Sequence, residues 1–263
     1  MAILNITPDS FSDGGRFDTV ETAFEQAKLC AEEGADILDL GAESTRPGHE
    51  PISVEEELSR LLPVLYKIKG WIDLPISVDT YKAEVAKAAF NHGASIINDV
   101  WGLQRDPAMP DTVAALGTDV IIMHNRFEGA DESIDIFDDM DRWFDKALRD
   151  AEKAGIQKDK IILDPGIGFG KVFEQNLQVL NNLHCVTKYG TRTLMGLSRK
   201  RFLGAILDAE VGDRLFGTLT ANITSLLAGI DIIRVHDVKP HFEALKVMQA
   251  IHQSKQTFGK PMV

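Results

Sequence analysis

Short apolar runs recur along the chain at 2–6, 36–40, 76–78, 95–97, 119–123, 160–163, 193–197 and 231–235. They are nearly continuous in hydrophobicity and often β-branched, not alternating, which is how strands buried on both faces of a parallel sheet read. Between them the period changes to that of an amphipathic helix. Residues 20–33 gather Ala23, Phe24, Ala27, Leu29 and Cys30 on one face, and residues 54–68 do the same with Leu58, Leu61, Leu62 and Leu65. Gly34, Gly93, Gly117 and Gly155 each come a residue or so after a helical stretch, where glycine permits the left-handed C-terminal stop. An open doubly wound sheet would give the same alternation. Eight strand–helix units over this length favour closure, and no Gly-x-Gly-x-x-Gly comes after the first run. The expectation is an α/β fold, a single TIM-type (β/α)8 barrel domain over residues 1–263.

Composition narrows the partners. Apolar residues at 44% and charged residues at 26% are ordinary for a soluble globular chain. A formal charge of −12, with no Lys/Arg residues gathered on one face to meet a polyphosphate backbone, argues against nucleic acid. Cys30 and Cys185 have no Cys or His at metal-ligand spacing, so buried reduced thiols are expected in place of a zinc site or a disulfide. The chain opens on Met-Ala-Ile-Leu-Asn, without a basic segment leading into an apolar run. No stretch reaches the roughly 18 apolar residues of a membrane span. A cytoplasmic protein without a membrane partner is expected.

The residues just past each apolar run carry the chemistry: Asn5, Glu43, Asp79, Asn98 with Asp99, His124, Asp164, then Ser198, Arg199 and Lys200, and finally Arg234 with His236. Any single one reads as a cap or turn residue. Repeated at eight strand ends, which in a barrel converge on the catalytic face, they predict a site. Two long polar loops, Asn5 to Gly15 and Gly41 to Gly48, come after the first two runs and suit closure over a reaction. Asp79, Asn98 and Asp164 offer carboxylates and an amide to a flat amine-bearing heterocycle. Arg46, Lys200, Arg234 and His236 add donors and positive charge for an anionic end. The run Ser198-Arg199-Lys200-Arg201 opens a helix where barrels often hold phosphate.

These motifs resemble those of the dihydropteroate synthase family. Asn5-Ile6-Thr7-Pro8-Asp9-Ser10-Phe11-Ser12-Asp13-Gly14-Gly15 and Glu43-Ser44-Thr45-Arg46-Pro47-Gly48 are similar to its two signatures. Ser77-Val78-Asp79-Thr80, Ile97-Asn98-Asp99, Met123-His124, Asp164-Pro165-Gly166, Ser198-Arg199-Lys200 and Arg234-Val235-His236-Asp237 occur in family order. The resemblance implies condensation of 6-hydroxymethyl-7,8-dihydropterin pyrophosphate with p-aminobenzoate to 7,8-dihydropteroate and pyrophosphate, in folate biosynthesis. It implies a pterin pocket of Asp79, Asn98, Asp164 and Lys200 lined by Met123, Gly168 and Phe169. It implies Mg2+ on Asn5 and Asp13, and pyrophosphate on Thr45, Arg46, Arg234 and His236. Phe11, Pro47 and Ser198 would shape the p-aminobenzoate site, where sulfonamides would bind. Catalysis would rest on Asp79, Lys200, Arg234 and His236, with pyrophosphate leaving before the amine attacks. A homodimer is also implied.

The chain departs from the family pattern at Ala42, where many members have glycine, at Asn125-Arg126, and at Arg201, where some members carry serine. The chain starts almost at the first motif, so a hairpin beneath the barrel would be short or missing. Residues 128–145 are acidic and read as a solvated loop and helix face. Two alternatives share the pterin slot. A pterin-dependent methyltransferase domain has no use for the basic cluster and long loops, and a catalytically silent pterin-binding paralogue would have lost one of them.

Overall fold

The computed structural model describes residues 1–6, 16–44 and 50–257. Eight parallel strands run in sequence order: β1 (Ala2–Asn5), β2 (Leu38–Gly41), β3 (Ile76–Asp79), β4 (Ile96–Asp99), β5 (Asp119–Met123), β6 (Ile161–Asp164), β7 (Arg192–Met195) and β8 (Ile232–Ile233). An Ala2–Val235 bridge closes the barrel between first and last, with Ile3 N–H donating to Val235 O at 2.9 Å and Val235 N–H to Met1 O at 2.9 Å. The helices are α1 (Arg16–Glu32), α2 (Val54–Lys69), α3 (Ala83–Asn91), α4 (Met109–Leu116), α5 (Ile136–Ala154), α6 (Phe173–Asn181), α7 (His184–Thr187), α8 (Arg201–Leu207), α9 (Leu215–Leu227) and α10 (Val238–Thr257). No helix among the described residues is long and apolar enough to cross a membrane.

Alternation along each strand divides the core into two zones. Outward residues such as Leu38, Leu40, Val78, Ile97, Ile122 and Leu163 pack under the helices. Inward, Met1, Ile96, Ile121, Ile162 and Leu194 form a separate apolar cluster with Ile37 and Ile232, which plugs the N-terminal end. The next inward positions are mostly polar, and the register sets them level: Asp39 beside Ser77, Gly41 beside Asp79, Asp79 beside Asn98, Met123 beside Asp164. Ser53 starts α2 by accepting from Glu56 N–H at 3.2 Å, and that helix buries Leu61, Val64, Leu65 and Ile68. The four expected glycine stops all have positive φ.

Two packing expectations change. Leu29 is exposed while its neighbour Cys30 is buried, because the buried arc of α1 is narrower than the sequence suggested. The acidic segment 128–145 is not merely solvated. Asp135 caps α5, whose Ile136, Met140 and Phe144 are buried, and Asp139 contacts residues at the end of β5. Both cysteines are buried free thiols, as expected.

Candidate active site

The polar layer above the apolar plug is built around Arg234. Its Nε donates to Asp39 Oδ2 at 2.6 Å and its Nη2 to Asp79 Oδ2 at 3.1 Å, while Asn98 Nδ2 also donates to Asp39 Oδ2 at 3.2 Å. Strand alternation turns all four side chains inward, and a guanidinium fork can hold two carboxylates at once. Asp39 Oδ1, Ser77 Oγ and Asp79 Oδ1 are buried and make no hydrogen bond among the described residues. Burial pushes the Asp79 carboxyl well above the usual carboxylate range, and the Arg234 charge only partly opposes it. Asn5 closes this side: a Cβ placed on Gly41 would sit 3.6 Å from Asn5 Oδ1 and 3.7 Å from Asp79 Cβ.

The opposite wall comes from β5, β6 and the turn after β7. Asp164 Oδ1 accepts from Gly166 N–H at 2.7 Å, and burial raises its pKa. Lys200 lies with Nζ 4.1 Å from the Phe169 ring centre, and its Cδ would be 3.1 Å from a Cβ on Gly168. Burial lowers the Lys200 ammonium to about 8, against the pull of Asp164. The Met123 side chain belongs to the same wall, with Cγ 3.3 Å from a Cβ placed on Gly166. A flat ring between Met123, Phe169 and the Lys200 stem would meet carboxylates at its edge.

Ser198 and His236 come together at the rim: Ser198 Oγ accepts from His236 N–H at 3.1 Å and lies 2.9 Å from His236 Nδ1. Burial, with the charges of Arg199 and Arg234, lowers His236 to about 4, so it is neutral at pH 7. The predicted basic run from 198 to 201 divides. Arg199 is held bidentately by Asp237 at 2.6 and 3.1 Å and Arg201 is exposed, leaving Lys200 as the member that faces the pocket.

Three other strand-end residues serve the scaffold, not the pocket. Glu43 accepts from Tyr81 OH at 2.8 Å and pairs with Lys82, Asp99 caps Trp101 N–H and Leu103 N–H at 2.8 and 2.9 Å, and His124 faces α5. Phe11, Asp13, Thr45, Arg46 and Pro47 lie outside the described residues. Sequence reasoning missed Asp39 and Ser77. A lone carboxylate in the middle of an apolar strand was the available signal, since such a group cannot be buried without a partner.

The family model described as pterin binding enzyme matches residues 1–236. Dihydropteroate synthase of Bacillus subtilis is 45% identical over 251 residues, covering 95% of this chain and 87% of the relative. Among solved structures, dihydropteroate synthase from Clostridium difficile in the presence of pteroic acid superposes with a TM-score of 0.92 at 45% identity, covering 95% of both chains. That of Xanthomonas albilineans with 4-aminobenzoic acid gives 0.92 at 43%, covering 96% of this chain and 92% of that one. With a polar layer between two walls at the mouth of a closed barrel and this likeness over almost its whole length, the chain belongs to the dihydropteroate synthase family, pterin-binding transferases of folate biosynthesis.

Proposed function

We propose that the residues gathered at the mouth join 6-hydroxymethyl-7,8-dihydropterin pyrophosphate to p-aminobenzoate, with pyrophosphate departing first. The observation that carries this is the buried Asp79 Oδ1, a carboxylate oxygen without a hydrogen-bond partner among the described residues, in a layer that also holds Asn98. Such an oxygen needs a donor, and an aminopterin edge supplies N–H groups. Asp79, Asn98 and Asp164 hold the ring edge, while Met123, Gly168, Phe169 and the Lys200 stem hold its face.

In the reaction the bond between the pterin CH2 and the pyrophosphate oxygen breaks, and its electron pair leaves with the oxygen. The ring-stabilised cation then accepts the arylamine lone pair, and the nitrogen loses a proton. No protein nucleophile is needed. Asp79 offsets charge growing on the ring, and Arg234, His236, Thr45 and Arg46 hold the departing anion, a preorganised effect worth ~10²–10³ per group. Phe11, Pro47 and Ser198 shape the p-aminobenzoate side. Asn5 Oδ1 is a hard oxygen donor at the mouth and suits Mg2+, which takes few protein ligands alongside substrate phosphates. Asn5 and Asp13 would hold that ion, which supplies positive charge to the leaving group when bound.

Pyrophosphate release should be measured with Mg2+, with and without p-aminobenzoate, alongside dihydropteroate formation. Release coupled to product is the expected result. Pterin binding without either product under any metal condition would refute the reading and favour a silent pterin-binding paralogue.

A homodimer belongs to the same reading. A groove between α9 and α10 is lined by Ile223, Leu227, Val247, Met248 and Ile251, of which Leu227, Val247 and Ile251 are exposed, and a second copy would cover it. Sedimentation should give a dimer that Val247→Asp dissociates, and a wild-type monomer would refute it. The lack of a membrane-length apolar helix among the described residues supports a cytoplasmic location. Recovery in a membrane pellet would overturn that.

A further inference from the structure

Behind the pterin wall lies a buried cation that the reaction does not use. The turn at residues 165–171 leaves β6 and folds back against the end of β5 so closely that a Cβ on Gly166, at φ +66°, would fall 1.9 Å from His124 O. Its inward carbonyls converge on Lys171, whose Nζ donates to Gly166 O at 3.0 Å and Phe169 O at 3.2 Å. The third partner is His124 Nδ1 at 2.7 Å. Asn176 on α6 completes the support by accepting from Gly168 N–H at 2.6 Å and donating to Val172 O at 2.7 Å. Lys171, His124 and Asn176 are all buried.

The surroundings of the imidazole set its tautomer. His124 Nε2 faces Asp139 Oδ2 at 3.2 Å, an acceptor, so Nε2 carries the hydrogen and Nδ1 presents its lone pair to Lys171. An ammonium has three hydrogens, and all three find acceptors here. Arg126 Nη1 holds the other Asp139 oxygen, Oδ1, at 3.0 Å, so the chain of contacts runs from α5 through β5 to the turn that carries Gly168 and Phe169.

We propose that Lys171, with His124 as its third acceptor, is the positioning residue of the pterin site. It fixes the peptide planes of Gly166 and Phe169, and through them the ring-facing wall and the Gly166 N–H held by Asp164. The inference rests on the pterin reading of that wall. Burial lowers Lys171 to about 7 and His124 to about 3, the first opposed by Asp164 and Asp139, the second by Asp139. Lys200 and Cys185 complete the titratable neighbours of Lys171, and Arg126 that of His124. The tripod is complete only while Lys171 is charged and His124 neutral.

The test uses the full chain and 6-hydroxymethylpterin, a pterin without pyrophosphate, with binding read by calorimetry and folding checked by thermal unfolding. Lys171→Met removes the tripod. It should weaken pterin binding by at least about tenfold and raise KM for the pterin substrate alike, as loss of a charged hydrogen bond does. KM for p-aminobenzoate should stay within about twofold, since the effect is confined to one substrate's wall. In His124→Asn the amide oxygen stands where Nδ1 was and should retain pterin affinity. In His124→Gln that acceptor is moved to the Nε2 end, and affinity should fall. Equal losses for both substrates, no loss in Lys171→Met, or equal effects of Asn and Gln would overturn the proposal. If Lys171→Met does not fold, the His124 pair decides by the same criterion. A wild-type chain that does not bind the pterin would instead overturn the site reading beneath it.

Discussion

The two walls of the pocket handle their polar atoms in opposite ways. On the β5–β6 side, the carbonyls of Gly166 and Phe169 and the N–H of Gly168 are satisfied from behind by Lys171 and Asn176. On the β2–β3–β8 side, Asp39, Ser77 and Asp79 each keep a buried oxygen without a hydrogen bond among the described residues. A wall whose backbone hydrogen bonds are already made is rigid, and it leaves the side chains of Asp164 and Lys200 to meet what enters. A wall with unmet acceptors gains from a ligand that brings donors, because burying them unpaired costs on the order of 1–3 kcal/mol each. The first therefore gives mainly shape, with Asp164 and Lys200 as its polar contacts, and the second, which carries Asp79, has the more to gain from a ligand's donors.

The largest way to break this contrast is Arg234→Ala, which leaves Asp39 and Asp79 facing each other without the cation that bridges them. Stability should fall by about 3–5 kcal/mol, as when one partner of a buried ion pair is removed. Turnover should fall by at least ~10²–10³ while pterin binding persists. Urea unfolding with steady-state kinetics checks both, and unchanged turnover would remove Arg234 from the site.

Acid should weaken the rigid wall next. The folded-state pKa of His124, about 3, lies below the roughly 6.5 of an unfolded histidine. Between those values the unfolded chain binds more protons, so stability is fully present above about pH 6.5 and is lost as pH falls towards 3. The loss from this one group is on the order of a few kcal/mol, and His124→Asn should flatten it. Denaturant midpoints at pH 7 and 4.5 for both proteins make the comparison, and parallel slopes would rule His124 out as the cause. The smallest effect is expected from Arg201→Ala. This exposed side chain belongs to neither wall, so kcat/KM should change by no more than about twofold. A tenfold loss would return Arg201 to the substrate site.

The barrel was legible because the β strands are largely apolar on both faces and every predicted run falls on an observed strand, with ends shifted by a residue or two. The inward strand-end residues Asp79, Asn98, Asp164 and Arg234 were legible as chemistry for the same reason. Direction was not legible. A residue one step further along a strand faces the helices, so Asp99 and His124 became scaffold groups although they stand at equally polar strand ends. Asp39 was hidden by its apolar neighbours Leu38 and Leu40, which point the other way. Lys171 ends a glycine-rich turn with nothing polar beside it in sequence to mark a role, and its partner His124 is 47 residues away, a distance that the β5–β6 pairing bridges.

The apolar cluster beneath the polar layer has a further consequence for traffic. With Met1, Ile96, Ile121, Ile162 and Leu194 corking the N-terminal end, the barrel is a cup with one rim, not a tube. Everything that enters must leave by the same opening, so the arylamine approaches along the route by which pyrophosphate departs, and vacating that passage becomes part of the reaction's timetable.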